Sequence, residues 1–203
     1  MLDSRMRTLI DPPLNRTGRW LAARGADADT MTLIGLGFGI FTALMIYLGV
    51  SGLMIIVPLL IARLCDGLDG AVARATTKTD FGGYLDLTCD FIFYAAVPMA
   101  FVLRDPVANA LPGAFLLMSF YINGASFLGY AVLAEKAGME TAEQGEKSLY
   151  YSAGLLEGTE TIIFFVILAI APIWFAPLAW VFGVLCLATA ILRVVMAWNE
   201  SVT

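Results

Sequence analysis

The segment "CDGLDGAVARATTKTDFGGYLDLTCDF", residues 65–91, carries Asp66 and Asp69 three residues apart and Asp86 and Asp90 four apart, with apolar runs on both sides. Three and four are the spacings that place side chains on one face of a helix. Two antiparallel helices joined by a short turn then aim the four carboxylates at a common point. Carboxylates packed in a low dielectric repel one another and take up protons unless cations neutralise them. An all-oxygen donor set suits Mg2+, Mn2+ or Ca2+, and four carboxylates leave room for a pair of ions. Paired metals serve displacement at phosphorus, where the attacking and leaving oxygens both carry charge.

The residues between the acids are small. Gly67, Gly70, Ala71 and Ala73, then Gly82 and Gly83, clear bulk from the helix surfaces, so that a large anionic head can approach backbone and metals. Arg74, one turn beyond Gly70, has the fork geometry for bidentate phosphate contact. Arg63, one turn before Asp66 and Gly67, reads as a structural counter-ion for the acids. Lys78 and Asp80 read as turn residues. The chain has no histidine, so acid–base work falls mainly to carboxylates. Cys65, Cys89 and Cys186 show no paired spacing and read as small buried hydrophobes rather than a disulfide or zinc site.

These acids stand in an apolar chain of 203 residues, 60% hydrophobic and 14% charged, with mean hydropathy +0.82. Soluble domains carry about 25% charged residues, so the expectation is an all-α polytopic membrane protein. A spanning helix needs about 20 apolar residues. Apolar runs near 30–50, 53–75, 81–103, 108–134, 152–171 and 174–198 give six transmembrane helices in a single domain over 1–203. Residues 30–198 form the bundle, and 1–29 form a cytoplasmic segment that suits an interfacial helix, with Trp20, Leu21 and spaced arginines. A plain basic arm fits that segment as well, and it lacks the apolar core of a signal peptide. Gly35, Gly37 and Gly39 follow no strand, so they read as a close helix–helix contact rather than a nucleotide loop.

Arg5, Arg7, Arg16, Arg19 and Arg24 precede the first span, and Arg74, Lys78, Lys136 and Lys147 fall in the second and fourth loops. By the positive-inside rule both termini and the acid-rich turn face the cytoplasm. Ionisable residues within spans are costly and mark functional sites. The formal net charge of −5 comes with no basic run, so nucleic acid is not an expected partner.

"DGLDGAVAR" followed by "GGYLDLTCD" resembles the signature of the CDP-alcohol phosphatidyltransferase family, Asp-x-x-Asp-Gly-x-x-Ala-Arg and then Gly-x-x-x-Asp-x-x-x-Asp. Asp66, Asp69, Gly70, Ala73, Arg74, Gly82, Asp86 and Asp90 fill every fixed position. "GADADTMTLIG" resembles the family's nucleotide-side segment, with Thr32 at the usual threonine and Ala28 where proline is common. The resemblance implies an inner-membrane enzyme of phospholipid biosynthesis. It would transfer a phosphatidyl group from CDP-diacylglycerol to a small alcohol and release CMP. It further implies Mg2+ or Mn2+, two ions, held by Asp66, Asp69, Asp86 and Asp90, with Asp90 also the general base. Gly70, Ala73, Arg74 and Thr32 would line the CDP-lipid site, and the family resemblance implies a homodimer.

Acceptor-side candidates are Lys147, Glu157 and Arg193. Cationic side chains there suit a phosphorylated acceptor. Glu157, Glu160, Thr159 and Thr161 suit an amino alcohol, serine or a polyol, although acids at a helix start are also favoured by its dipole. "FYINGASFLGY" is neutral where inositol-phosphate members tend to be basic, and Pro98, eight residues after Asp90, resembles the phosphatidylserine-synthase branch. The competing readings are an integral-membrane prenyltransferase acting on an isoprenyl pyrophosphate and a cation transporter.

Overall fold

The structure is a computed structural model that describes residues 2–136, 156 and 158–202. Among the described residues seven α-helices follow one another: α1 (Leu2–Ala22), α2 (Ala28–Tyr47), α3 (Leu53–Ala75), α4 (Asp80–Arg104), α5 (Pro106–Lys136), α6 (Gly158–Ile170) and α7 (Phe175–Val202). A 3₁₀ turn at Pro172–Trp174 joins the last two. Among the described residues there is no strand. The chain is an all-α polytopic membrane protein. α2, α4, α5 and the segment Pro172–Asn199 are long and apolar enough to cross a bilayer. α3 matches them in length but carries Arg63, Asp66, Asp69 and Arg74, and α6 is a shorter apolar helix.

Local chemistry sets the helix starts. Asp27 caps α2, its carboxylate accepting from the Thr30 backbone N–H at 3.0 Å and from Thr30 Oγ1 at 3.1 Å. The Thr79 hydroxyl caps α4 by accepting from the Gly82 N–H at 3.0 Å. The spans expected near 81–103 and 108–134 fall within two residues of α4 and α5, and α5 begins at Pro106, directly after Asp105. Asp105 accepts from the Ala108 N–H at 3.1 Å, and proline is at home in a first helical turn, where its missing donor has no partner to lose.

α2 packs along both α3 and α4, α1 lies on α3, and α5 pairs with α7. The inward face of α2 is Thr32, Gly35, Gly39, Thr42, Ala43 and Ile46, a helical repeat of small residues that lets backbones approach. A Cβ on Gly35 would lie 3.1 Å from Cys65 Cβ, and one on Gly39 would lie 2.7 Å from the ring of Phe93, whereas Gly37 has open space beside it. Two of the three glycines thus make the close contact expected of them. Beyond the site the core is aromatic. Phe101 stacks on Phe175 at 4.8 Å, Phe164 on Phe182 at 4.2 Å, and Phe93 meets Phe165 edge-on at 5.5 Å. All three cysteines are free and buried.

Gly39→Leu should therefore destabilise the bundle by about 1–3 kcal/mol through overpacking, read as a lower thermal midpoint in detergent. Gly37→Leu should leave that midpoint unchanged.

Candidate active site

The last turns of α3 and the first turns of α4 run antiparallel across the short turn 76–79. Asp66, Asp69 and Asp86 come together there, each with a carboxylate oxygen within 4.8 Å of the others. Oxygens on opposite sides of an ion at about 2.1–2.4 Å lie about 4.2–4.8 Å apart, so these residues fit one hard divalent cation among them. Asp69 is buried, and its Oδ2 accepts from the Thr32 hydroxyl of α2 at 2.7 Å. Thr32, expected on the nucleotide side, thus reaches across to steady a carboxylate.

Asp90, one turn beyond Asp86, is not in that group of three. Its Oδ1 accepts from Arg63 NH1 at 2.7 Å, and the same nitrogen lies 3.5 Å from Asp66 Oδ1. The Arg63 guanidinium rests over the Phe93 ring, 4.3 Å from its centre. Among the described residues its Nε is a buried nitrogen without a hydrogen-bond partner, so ring stacking and two acids fix this side chain. The expected counter-ion serves chiefly Asp90.

Arg74 turns back along α3 towards Gly70, where an added Cβ would stand 3.2 Å from its NH1. Its Nε and NH2 both donate to Asn15 Oδ1 of α1, at 3.0 and 2.8 Å. Asn15 belongs to no motif in the sequence. The available signal was the run Ile10, Leu14, Gly18 and Leu21, which marks a docking face on α1 with Asn15 beside it.

A cavity of about 1120 Å3 joins these parts. Ligand pockets run to about 300–1,000 Å3, so this cavity has room for a large ligand. Its lining includes Thr32, Asp66, Asp69, Gly70, Ala73, Arg74, Asp86, Asp90 and, on the far side, Arg193. Arg193 is buried and donates from NH1 to Asn123 Oδ1 at 3.0 Å, to the Asn123 carbonyl at 3.1 Å and to Ser126 Oγ at 2.7 Å. Thr159 and Thr161 line the cavity as well. Lys147 and Glu157 lie outside the described residues.

Clustered carboxylates and an arginine line one cavity among membrane helices, the arrangement of a membrane protein with a polar, charged site. The profile of the family described as CDP-alcohol phosphatidyltransferase matches residues 27–198. The inner membrane protein YnjF of Escherichia coli is 45% identical over 203 residues, covering 100% of this chain and 97% of that protein. An archaetidylinositol phosphate synthase of Pyrococcus horikoshii is 30% identical over 149 residues, covering 71% of this chain and 77% of that protein. Among solved structures, a Mycobacterium tuberculosis phosphatidylinositol phosphate synthase with CDP-DAG bound superposes with a TM-score of 0.68 at 22% identity, covering 91% of this chain and 93% of that one. The chain belongs to the CDP-alcohol phosphatidyltransferase family and is an enzyme of that family. Membership decides against the prenyltransferase and transporter readings.

Removing one partner of a buried ion pair strands the other, and for this part-buried pair Arg63→Gln should cost roughly 2–3 kcal/mol. Adding Asp90→Asn to Arg63→Gln should recover most of the loss in thermal midpoint, measured with chelator present. A double variant no more stable than Arg63→Gln would show that the pair does not hold the two helices.

Proposed function

We propose that this enzyme transfers the phosphatidyl group of CDP-diacylglycerol to the hydroxyl of a small alcohol and releases CMP. The observation that carries the reading is the convergence of Asp66, Asp69 and Asp86 beside Asp90 and Arg74 in one cavity. It is supported by the CDP-DAG named in the superposable mycobacterial structure. Asp66, Asp69 and Asp86 would hold Mg2+ or Mn2+, with Asp90 at the edge of a second ion. A divalent cation held there would supply positive charge for displacement at phosphorus.

The chain's own groups do the rest. Arg74 binds and orients the diphosphate, with Gly70 and Ala73 leaving it space. The acceptor oxygen forms a bond to the phosphorus that bears the diacylglycerol, and the bond from that phosphorus to the bridging oxygen breaks. CMP leaves with the bonding pair. Asp90 takes the hydroxyl proton, the role that histidine fills in many enzymes and cannot fill here. Arg63, bonded to Asp90 Oδ1, fixes the carboxylate while its second oxygen accepts that proton.

The acceptor enters on the side of Arg193, Asn123 and Ser126. Two relatives are named for inositol phosphate products, so inositol phosphate heads the acceptor panel, followed by glycerol phosphate, serine and inositol. In the membrane, we place α3 and α6 as the remaining two of six spans. Both termini and the cavity mouth face the cytoplasm, α1 lies on the inner leaflet, and the protein is a homodimer in the inner membrane. The excess of arginine before α2 supports this orientation.

Purified protein given CDP-diacylglycerol, Mg2+ or Mn2+ and the panel should release CMP with at least one alcohol, and chelation should abolish the release. Asp90→Asn should lower kcat by about 10²–10⁴-fold, the usual size of a general-base contribution, with CDP-lipid binding retained. No CMP with any acceptor would overturn the reading.

A further inference from the structure

We propose that α1 is a wall of the CDP-lipid site and that Asn15 is a positioning residue, holding Arg74 for the diphosphate. This rests on the reading of the cavity given above. The family profile begins at residue 27, so α1 lies wholly outside it. Even so, Ile10, Asp11, Leu14 and Asn15 line the cavity.

Contact geometry ties α1 to the motif helix. A Cβ on buried Gly18 would fall 2.6 Å from Ala71 Cβ, and one on Gly67 would fall 2.8 Å from Leu14 Cδ1. Leu14 and Gly18 are thus fitted to the stretch of α3 that carries Asp69 and Gly70. Between them Asn15 offers a single oxygen to two nitrogens of Arg74, Nε and NH2. The third nitrogen, NH1, stays at Gly70, which also lines the cavity.

The partner's chemistry matters. A guanidinium has five N–H donors, and one amide oxygen engages two of them. A carboxylate in that place would orient Arg74 equally well but would also cancel its charge. A neutral amide oxygen fixes the side chain and leaves the full positive charge for phosphate. Ordering a long arginine before the substrate arrives reduces what binding must otherwise overcome.

The test uses the full-length protein with CDP as probe, binding measured calorimetrically with Mg2+ present, alongside turnover of CDP-diacylglycerol. Asn15→Ala should raise the Kd for CDP and the KM for the CDP-lipid roughly tenfold, the scale of losing a charge-assisted contact's alignment, and leave the acceptor KM unchanged. In an Arg74→Ala background, Asn15→Ala should add no further loss, because it acts through that arginine. Asn15→Asp should keep the thermal midpoint yet still weaken CDP, whereas a purely structural role predicts that the aspartate restores binding. An unchanged KM in Asn15→Ala, or a full additional loss in the Arg74→Ala background, would overturn the proposal while wild-type turnover upheld the broader reading. A wild-type protein that binds no CDP would overturn both.

Discussion

Carboxylates gathered in an apolar bundle repel one another, and the whole architecture turns on how that repulsion is met. Asp66, Asp69 and Asp86 come within 4.8 Å through their oxygens, and Asp69 is buried, where a charge is screened less than in water. The protein supplies partial answers. Thr32 donates to Asp69, and Arg63 pairs with Asp90. Arg63 also lies 3.5 Å from Asp66, and a hard divalent cation would match the charge and all-oxygen donor set of the three carboxylates.

The rest of the fold makes such a cluster possible. The α3–α4 hairpin brings the two acidic faces together, and the small face of α2 lets that helix lie close behind both. Phe93 links this scaffold to the site. It fills the space left by Gly39 and supports the guanidinium of Arg63 on its ring. The helix contact and the placement of the base candidate therefore share one aromatic side chain. On the other flank, Gly67 and Ala71 seat α1 against Leu14 and Gly18, so small residues of the motif helix also serve its packing.

Much of this was legible in the sequence because helical spacing is local. Asp66 with Asp69, Asp86 with Asp90, the short turn between them and Arg63 one turn away follow from counting residues. Contacts between distant segments were not legible. Nothing local says that the hydroxyl of Thr32 crosses to Asp69, 37 residues on, or that Asn15 receives Arg74, 59 residues on. The α4–α5 junction is tighter by a few residues than the expected spans 81–103 and 108–134. Pro106 and Pro112 look like loop punctuation, yet a proline in the first turn starts a helix, and Asp105 caps it. Arg193 was legible as an anomaly in an apolar helix, but nothing local says that it donates to Asn123, 70 residues away on α5.

The central claim is that the hairpin's carboxylates are a divalent-cation site, and anomalous X-ray diffraction from crystals grown with Mn2+ tests it most directly. Manganese density among Asp66, Asp69 and Asp86, lost in Asp69→Asn, is the predicted result. An ordered cluster without manganese at saturating Mn2+, in protein that still turns over, would contradict it.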